Sequence, residues 1–252
     1  MERSVGATEM LDGPLDDPAA LASNLRDLRR INRWLGGVRL SADAIDALAA
    51  HRDGLTVLDV GTGGADIPMA LLARAEARGR GLTIVGIDSR PEVLAAAVTA
   101  RPAVAATVGL ELHVGDGLAL PYADDAFDVA HSSLLIHHLP PEPAVGMLRE
   151  MGRVARLGVV VNDVDRSRLG WLGAWLIGHL LTANRYTRHD APLSVERAYR
   201  VDEMKSLLRR AALTPVRTER RVFGQRYAIA AVPTPDSREG WTTLPDPEGA
   251  GE

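Results

Sequence analysis

The chain has 252 residues, 46% of them hydrophobic, and a formal net charge of −4 from 29 basic and 33 acidic side chains. That length and apolar fraction suffice for one full core with added elements, and the balanced charge gives no field to hold a polyanion, so no nucleic acid partner is expected. Cysteine is absent, which removes disulfides, thiolate metal sites and a cysteine nucleophile, and the acidic start MERSVGATEMLDGPLDD lacks the basic region and apolar core of a signal peptide; both agree with a cytoplasmic location.

Residues 1–17 show little apolar periodicity and are expected to be mobile. From Pro18, Leu21, Leu25, Leu28, Ile31 and Leu35 recur at helical spacing until Gly36 and Gly37 stop the pattern. Arg26, Arg29, Arg30 and Arg33 lie between them. That face is either solvated surface or the outside of a helix that covers a ligand cleft with Asn32 or Trp34 turned inward. A second helix, with Ser41 as its predicted cap, runs to about Ala50 and delivers the chain to the first strand.

The rest of the chain is organised around residues 56–68, TVLDVGTGGADIP. The apolar run ending at Val60 breaks into Gly61, Gly63 and Gly64, which reads as a buried strand turning sharply into a helix. Glycine lets a ligand approach the backbone there, and the first amides of the next helix point into the gap. Asp66 and Pro68 suit that helix's first turn. The turn could be a plain strand-to-helix connection, a dinucleotide site, or a site for a nucleoside carrier without a pyrophosphate. In the dinucleotide fingerprint the third position is small, and here Asp66 follows Gly61 and Gly63 in that place, which counts against a nicotinamide oxidoreductase.

With Asp59 ahead of Gly61 and Gly63, the stretch resembles the first motif of the class I S-adenosylmethionine-dependent methyltransferases; Ala65 stands where a third glycine is common. The resemblance implies S-adenosyl-L-methionine as cofactor, gripped by Asp59, Gly61, Thr62, Gly63 and Asp66. Leu82–Asp88 is the second strand, and Asp88 lies about twenty residues past the glycine turn, where a carboxylate accepts from both ribose hydroxyls or instead caps the helix that begins near Pro91. Ser89 and Arg90 are placed to flank the adenine. After the helix Pro91–Ala100 and the strand Leu110–Val114, the segment VGDGLALPYADDAFDV extends the resemblance to the branch that acts on small molecules. By it, Asp116 accepts from the adenine amino group while Gly117 supplies an amide and Leu118 an apolar face; the plain alternative is a strand-end turn.

Phe127–Ser132 is the fourth strand, opening on the same crevice and placing Ser132 at the cofactor. It continues as HSSLL, where DNA amino methyltransferases carry an Asn/Asp-Pro-Pro-aromatic stretch. His137 and His138 follow as candidate bases or as turn-forming residues. No metal site is expected of them, because adjacent side chains diverge and no third ligand is spaced nearby. Beyond the helix Ala144–Leu157 and the fifth strand Gly158–Val164, with Asn162 and Asp163 at its outlet, LGWLGAWLIGHLLT is apolar all round yet shorter than the ~20 residues that span a bilayer. It reads as a buried helix or as a lid with Trp171, Trp175 and His179 over the acceptor. The polar stretch 184–200 reads as a loop carrying a further base candidate, His189 with Asp190. A helix Asp202–Ala212 and strands Pro215–Val222 and Arg226–Val232 close the sheet, and residues 233–252 are expected to be disordered.

The expected architecture is α/β: a Rossmann-like, doubly wound seven-stranded sheet with an antiparallel terminal hairpin, over residues 18–232. An N-terminal helical cap (18–51) and a helical insertion after the fifth strand (167–190) are added to it. The expected activity is methyl transfer from S-adenosylmethionine to a small aromatic or polyketide-like acceptor, on oxygen or on carbon ortho to a phenol. No membrane partner is expected, and a homodimer is compatible with the pattern. A methyltransferase fold that binds S-adenosylmethionine for another reaction or for regulation is the alternative.

Overall fold

The structure is a computed structural model that describes residues 1–49, 52–221 and 225–235. Seven strands form one sheet: β1 (Leu55–Val60), β2 (Leu82–Asp88), β3 (Leu110–Val114), β4 (Phe127–Ser133), β5 (Ala155–Val164), β6 (Leu213–Arg221) and β7 (Arg226–Pro233). Their order is β3-β2-β1-β4-β5-β7-β6. The first five pair in parallel, and β7 runs antiparallel to both β5 and β6. This is the doubly wound sheet with a terminal hairpin that the sequence predicts. Strand order reverses at β1, which lies between β2 and β4, so a crevice opens beyond the carboxyl ends of these three strands.

Helices α1 (Pro18–Trp34), α2 (Gly37–Ala49), α3 (Asp66–Glu76), α4 (Pro91–Ala100), α5 (Ala103–Ala106), α6 (Pro141–Val154), α7 (Arg168–Leu176), α8 (Arg185–Arg197) and α9 (Val201–Arg210) surround the sheet. One face is covered by α6 and α9 through Met147, Leu148, Met204 and Leu208, which pack on Leu58, Val161 and Ile229. The other is covered by α2 and α3 through Leu40, Ile45, Ile67 and Leu71 against Val57, Ile84 and Val160. Each fully buried leucine or isoleucine in these layers contributes about 1.5–3 kcal/mol.

Four expectations are corrected. Helix α2 begins at Gly37, just after Gly36 turns the chain with φ of +72°, so Ser41 lies inside the helix rather than capping it. Residues 185–197 form helix α8 instead of a loop; the side-chain oxygen of Asn184 caps it by accepting from the amides of Tyr186 and Thr187 at 2.9 and 3.2 Å. The apolar insertion is not buried: α7 and the π-helical turn Ile177–Leu181 leave Leu169, Leu172, Trp175, Leu176, Leu180 and Leu181 exposed, Leu180 to 71%. The N-terminal segment is held in place. The Arg3 guanidinium donates to the carbonyls of Arg197, Leu139 and His137 at 2.7, 2.9 and 3.1 Å, and the amides of Met10 and Leu11 donate to Asp190 at 2.8 and 3.1 Å. Of the expected disordered tail, Pro233 ends β7 and residues 236–252 lie outside the described residues.

Candidate functional site

The crevice floor is the turn after β1. Gly61 has φ of +73°, and a Cβ there would stand 2.5 Å from the Leu135 side chain. Gly63 has φ of +52° with open space around it, and Ala65 takes the left-handed conformation that starts α3. These positions need a residue without a side chain or tolerate only a small one. Asp88, closing β2, accepts from the Gly63 amide through one oxygen and from the Arg90 amide through the other, both at 3.0 Å. Burial is the largest influence on its carboxyl and pushes its pKa up.

Beyond β3, Asp116 is exposed and accepts from the Leu118 amide at 2.9 Å; Leu118 is 43% exposed. Gly117 lets this loop sit on the sheet, since a Cβ would come 2.9 Å from Val60. Ser132 faces Val60 across the β1–β4 ladder, and its buried hydroxyl has no hydrogen-bond partner. An open glycine turn, an exposed acid beside an exposed leucine, and an orphaned buried hydroxyl fit a nucleoside with a polar tail.

Several predicted contacts point elsewhere. The Arg90 guanidinium donates to the carbonyls of Leu11 and Gly13 at 2.7 and 2.8 Å and pairs with Glu92, so it straps the N-terminal segment over the β2 end. Ser89 is exposed beside it. Thr62 turns its hydroxyl toward β2, where the missing side chain of Gly86 makes room. Asp66 accepts from Asn32 of α1 at 2.9 Å, and burial raises its pKa. Helix α1 therefore lies over the glycine turn, with Leu25 against Gly64 and Asn32 buried, while Trp34 is 67% exposed.

Asp59 is engaged inside the sheet. Its Oδ1 lies 2.6 Å from His131 Nδ1, and His131 Nε2 lies 2.7 Å from Ser41 Oγ. A carboxylate only accepts, so the hydrogen sits on Nδ1 and Ser41 donates to Nε2. Asn162 Nδ2 donates to Ser41 at 2.7 Å, and Asn162 Oδ1 accepts from Arg226 at 2.8 Å. Arg226 is wholly buried and also donates to Asn32 Oδ1 at 2.6 Å and Ser133 Oγ at 3.0 Å; burial lowers its pKa to about 10. This chain joins Asp59 to Asp66 through β4, α2, β5, β7 and α1. Sequence reasoning missed Arg226 as an organising residue. The only signal was an arginine opening an otherwise apolar terminal strand.

His137 and His138 sit on a 3-10 turn after β4, and their rings lie together with centroids 4.3 Å apart rather than diverging. His137 is buried, with Nδ1 2.7 Å from Asp163 Oδ1, and its amide donates to Asp163 Oδ2 at 3.2 Å. His138 Nδ1 is 2.8 Å from Asp12 Oδ1. The other candidate pair is differently occupied. His189, 51% exposed, lies 2.7 Å from Asp190, but that carboxylate anchors the turn Met10–Asp12. Trp171 donates to Glu196 at 2.7 Å, and Trp175 stacks on His179 at 4.5 Å. Between α1 and the insertion lies a cavity of about 260 Å³ lined by Ile31, Trp34, Leu35, Ile177 and Leu181 together with Asp27, Arg30, Thr182 and Thr187.

The sheet order, the glycine turn and the acids at successive strand ends define a class I methyltransferase, whose cofactor is S-adenosylmethionine. Residues 57–158 match the family model described as a methyltransferase domain, and this match and the fold support an S-adenosylmethionine-dependent methyltransferase. Among curated proteins it is similar to the 2-phytyl-1,4-naphthoquinone methyltransferase of Synechococcus elongatus, 28% identical over 165 residues that cover 66% of this chain and 67% of that one. Among solved structures it resembles human N-acetylserotonin methyltransferase in complex with its cofactor, with a TM-score of 0.64, 14% identity, and coverage of 86% of this chain and 57% of that one. It also resembles an O-methyltransferase family 2 protein from Planctomyces limnophilus in complex with apigenin, with a TM-score of 0.57, 18% identity, and coverage of 88% and 63%.

Proposed function

We propose that the acceptor is a small lipophilic molecule with an aromatic or polyketide-like nucleus, methylated on a phenolic oxygen or on the carbon beside it. The observation that carries this is the mostly apolar cavity between α1 and the insertion, where Ile31, Trp34, Leu35, Ile177 and Leu181 offer a ring system apolar surface beside Asp27, Arg30, Thr182 and Thr187. The quinone named for the Synechococcus protein and the flavonoid bound to the Planctomyces protein are acceptors or ligands of that kind.

S-Adenosylmethionine supplies the methyl group as a sulfonium. Around it, Asp88 would hold the ribose hydroxyls, Asp116 the adenine amino group, Leu118 the ring face, and the Gly61–Gly63 backbone with Ser132 the amino-acid tail. Helix α1 and the N-terminal segment cover the crevice, excluding water and fixing the approach of acceptor to donor, which is where much of the acceleration of an in-line transfer originates. A phenol with pKa near 10 in water also gains from a base. His137, His138 and the His189–Asp190 pair are the candidates, each with Nδ1 beside a carboxylate.

The test is to supply labelled S-adenosylmethionine with lipophilic phenols and quinols. A product heavier by one methylene supports the proposal. Label in protein or RNA, or S-adenosylhomocysteine binding with an acceptor rearranged but not methylated, would overturn it.

A further inference from the structure

Glu9 of the N-terminal segment meets His137 and His138 where that segment crosses the turn after β4. His137 Nε2 stands 3.7 Å from Glu9 Oε1, and His138 Nε2 stands 3.8 Å from Glu9 Oε2. One ligand atom from each of the three residues can be chosen so that all lie within 4.8 Å of one another. The other nitrogen of each ring faces a carboxylate, His137 Nδ1 at 2.7 Å from Asp163 and His138 Nδ1 at 2.8 Å from Asp12. Since carboxylates only accept, Nδ1 carries a hydrogen in both rings, and both Nε2 atoms turn toward the same glutamate, where each ring in its neutral form presents a lone pair.

That glutamate is 3% exposed, and its Oε1 is buried without a hydrogen-bond partner; Oε2 accepts from Ser194 at 3.0 Å. Arg197 Nη1 lies 3.5 Å from Oε1, but its hydrogen bonds go to Asp12 Oδ2 at 2.6 Å and, from Nη2, to the His138 carbonyl at 2.7 Å. Electron pairs that converge in a buried space are costly unless something positive lies between them. Asp12, Asp163 and Asp190 add further negative charge around the cluster, against Arg197 and Arg3.

We propose that Glu9, His137 and His138 form a binding site for one divalent transition-metal ion, with Zn²⁺ the best match. Two imidazoles and a carboxylate are a zinc donor set with a fourth position left open. The ligand atoms of a tetrahedral zinc, with bonds of about 2.0–2.1 Å, stand about 3.3 Å apart; each Nε2 lies 3.7 or 3.8 Å from one of the two Glu9 oxygens, and the three ligand atoms, within 4.8 Å of one another, draw together on binding. Asp163 and Asp12 then do what carboxylates behind ligating histidines do: they fix the tautomer and aim the ring. Because Glu9 comes from the N-terminal segment and the histidines from the loop after β4, the ion ties the segment down over the crevice. Metal on His137 Nε2 excludes its use as a base, so metal binding and methyl transfer are separate measurements.

The experiment uses the full chain freed of metal by chelation and titrated with Zn²⁺ by calorimetry and with Co²⁺ by visible absorption. One equivalent is expected to bind, with the intense bands of a four-coordinate cobalt ion. Glu9→Gln and His138→Ala should each weaken binding at least tenfold, in proteins whose circular dichroism is unchanged. Zn²⁺ should also slow amide exchange in residues 9–13 of the wild-type chain. His113→Ala is the control for adventitious binding at the exposed His113 and Glu111 pair. The proposal falls if the folded wild-type chain binds no more tightly than the Glu9→Gln/His138→Ala double variant. It falls equally if the cobalt spectrum stays that of the hydrated ion, in which case a proton occupies the cluster.

Discussion

The carboxylate of Asp88 accepts from the amide of Gly63 at 3.0 Å, so the acid that closes β2 and the glycine turn that closes β1 move as one unit. A ligand held by either is positioned by both. Asp88→Ala removes the ribose acceptor together with this clamp. Calorimetry with S-adenosylhomocysteine should show affinity at least tenfold weaker, about 1.4 kcal/mol. A change within threefold would sink the ribose assignment.

Asp66 provides a pH test. Burial raises its folded pKa, with the Asn32 bond and Arg226 opposing. The folded state thus holds the proton more tightly than the unfolded chain, whose aspartates titrate at about 4. Stability from this group is intact below that value and is lost as pH rises through the folded pKa. Asp66→Asn keeps an oxygen for Asn32 and carries no charge. Its Tm relative to wild type should therefore rise between pH 4 and 8 and be level at pH 3. A flat difference across that range would contradict the assignment.

Arg226 is the costliest residue to remove from the polar chain. Arg226→Met leaves Asn162, Asn32 and Ser133 with unmet acceptors in a buried site, and urea unfolding should show a loss of about 3 kcal/mol or more. Lysine carries its donors on one nitrogen and lacks the planar fork that reaches three partners from Nε, Nη1 and Nη2, so Arg226→Lys should recover less than half of that loss.

Arg90 separates two roles. Its guanidinium grips Leu11 and Gly13, so Arg90→Ala should accelerate amide exchange in residues 9–13 while S-adenosylhomocysteine affinity changes less than threefold. The opposite pattern would restore it to the adenine.

Leu181 lines the proposed acceptor cavity and is exposed, so Leu181→Asp costs little stability. The acceptor KM should rise at least tenfold with kcat and cofactor affinity near wild type. An unchanged KM would place the acceptor elsewhere.

How far the chain could be read depended on where apolar pattern and hydrogen bonding carry the same information. The strands from Thr56 and Leu82 announce themselves because their apolar runs end in glycine or an acid, and the strand from Phe127 because it is buried from Phe127 to Ser132. Helix α8 did not, because its buried positions include Thr187, Asp190 and Arg197. Asp190 and Arg197 are inside because the N-terminal segment supplies their partners from some 180 positions away, and Thr187 because α1 supplies Asn24 and Asp27. The same long-range pairing made residues 1–17 look idle. His137 and His138 were legible as chemistry but not as a converging pair, since the 3-10 turn that brings their rings together leaves no periodic trace. The exposed leucines of the insertion show the reverse limit, for composition cannot tell an apolar helix that is packed from one that faces outward.

The hydrogen-bonded path from Asp59 to Asp66 runs through an arginine on the final strand. One anchor of α1, and with it of the mouth above the glycine turn, therefore lies on β7, the strand beyond β5 from the crevice. Changes that retune what this enzyme admits can arise in its terminal hairpin, in residues that never meet a ligand.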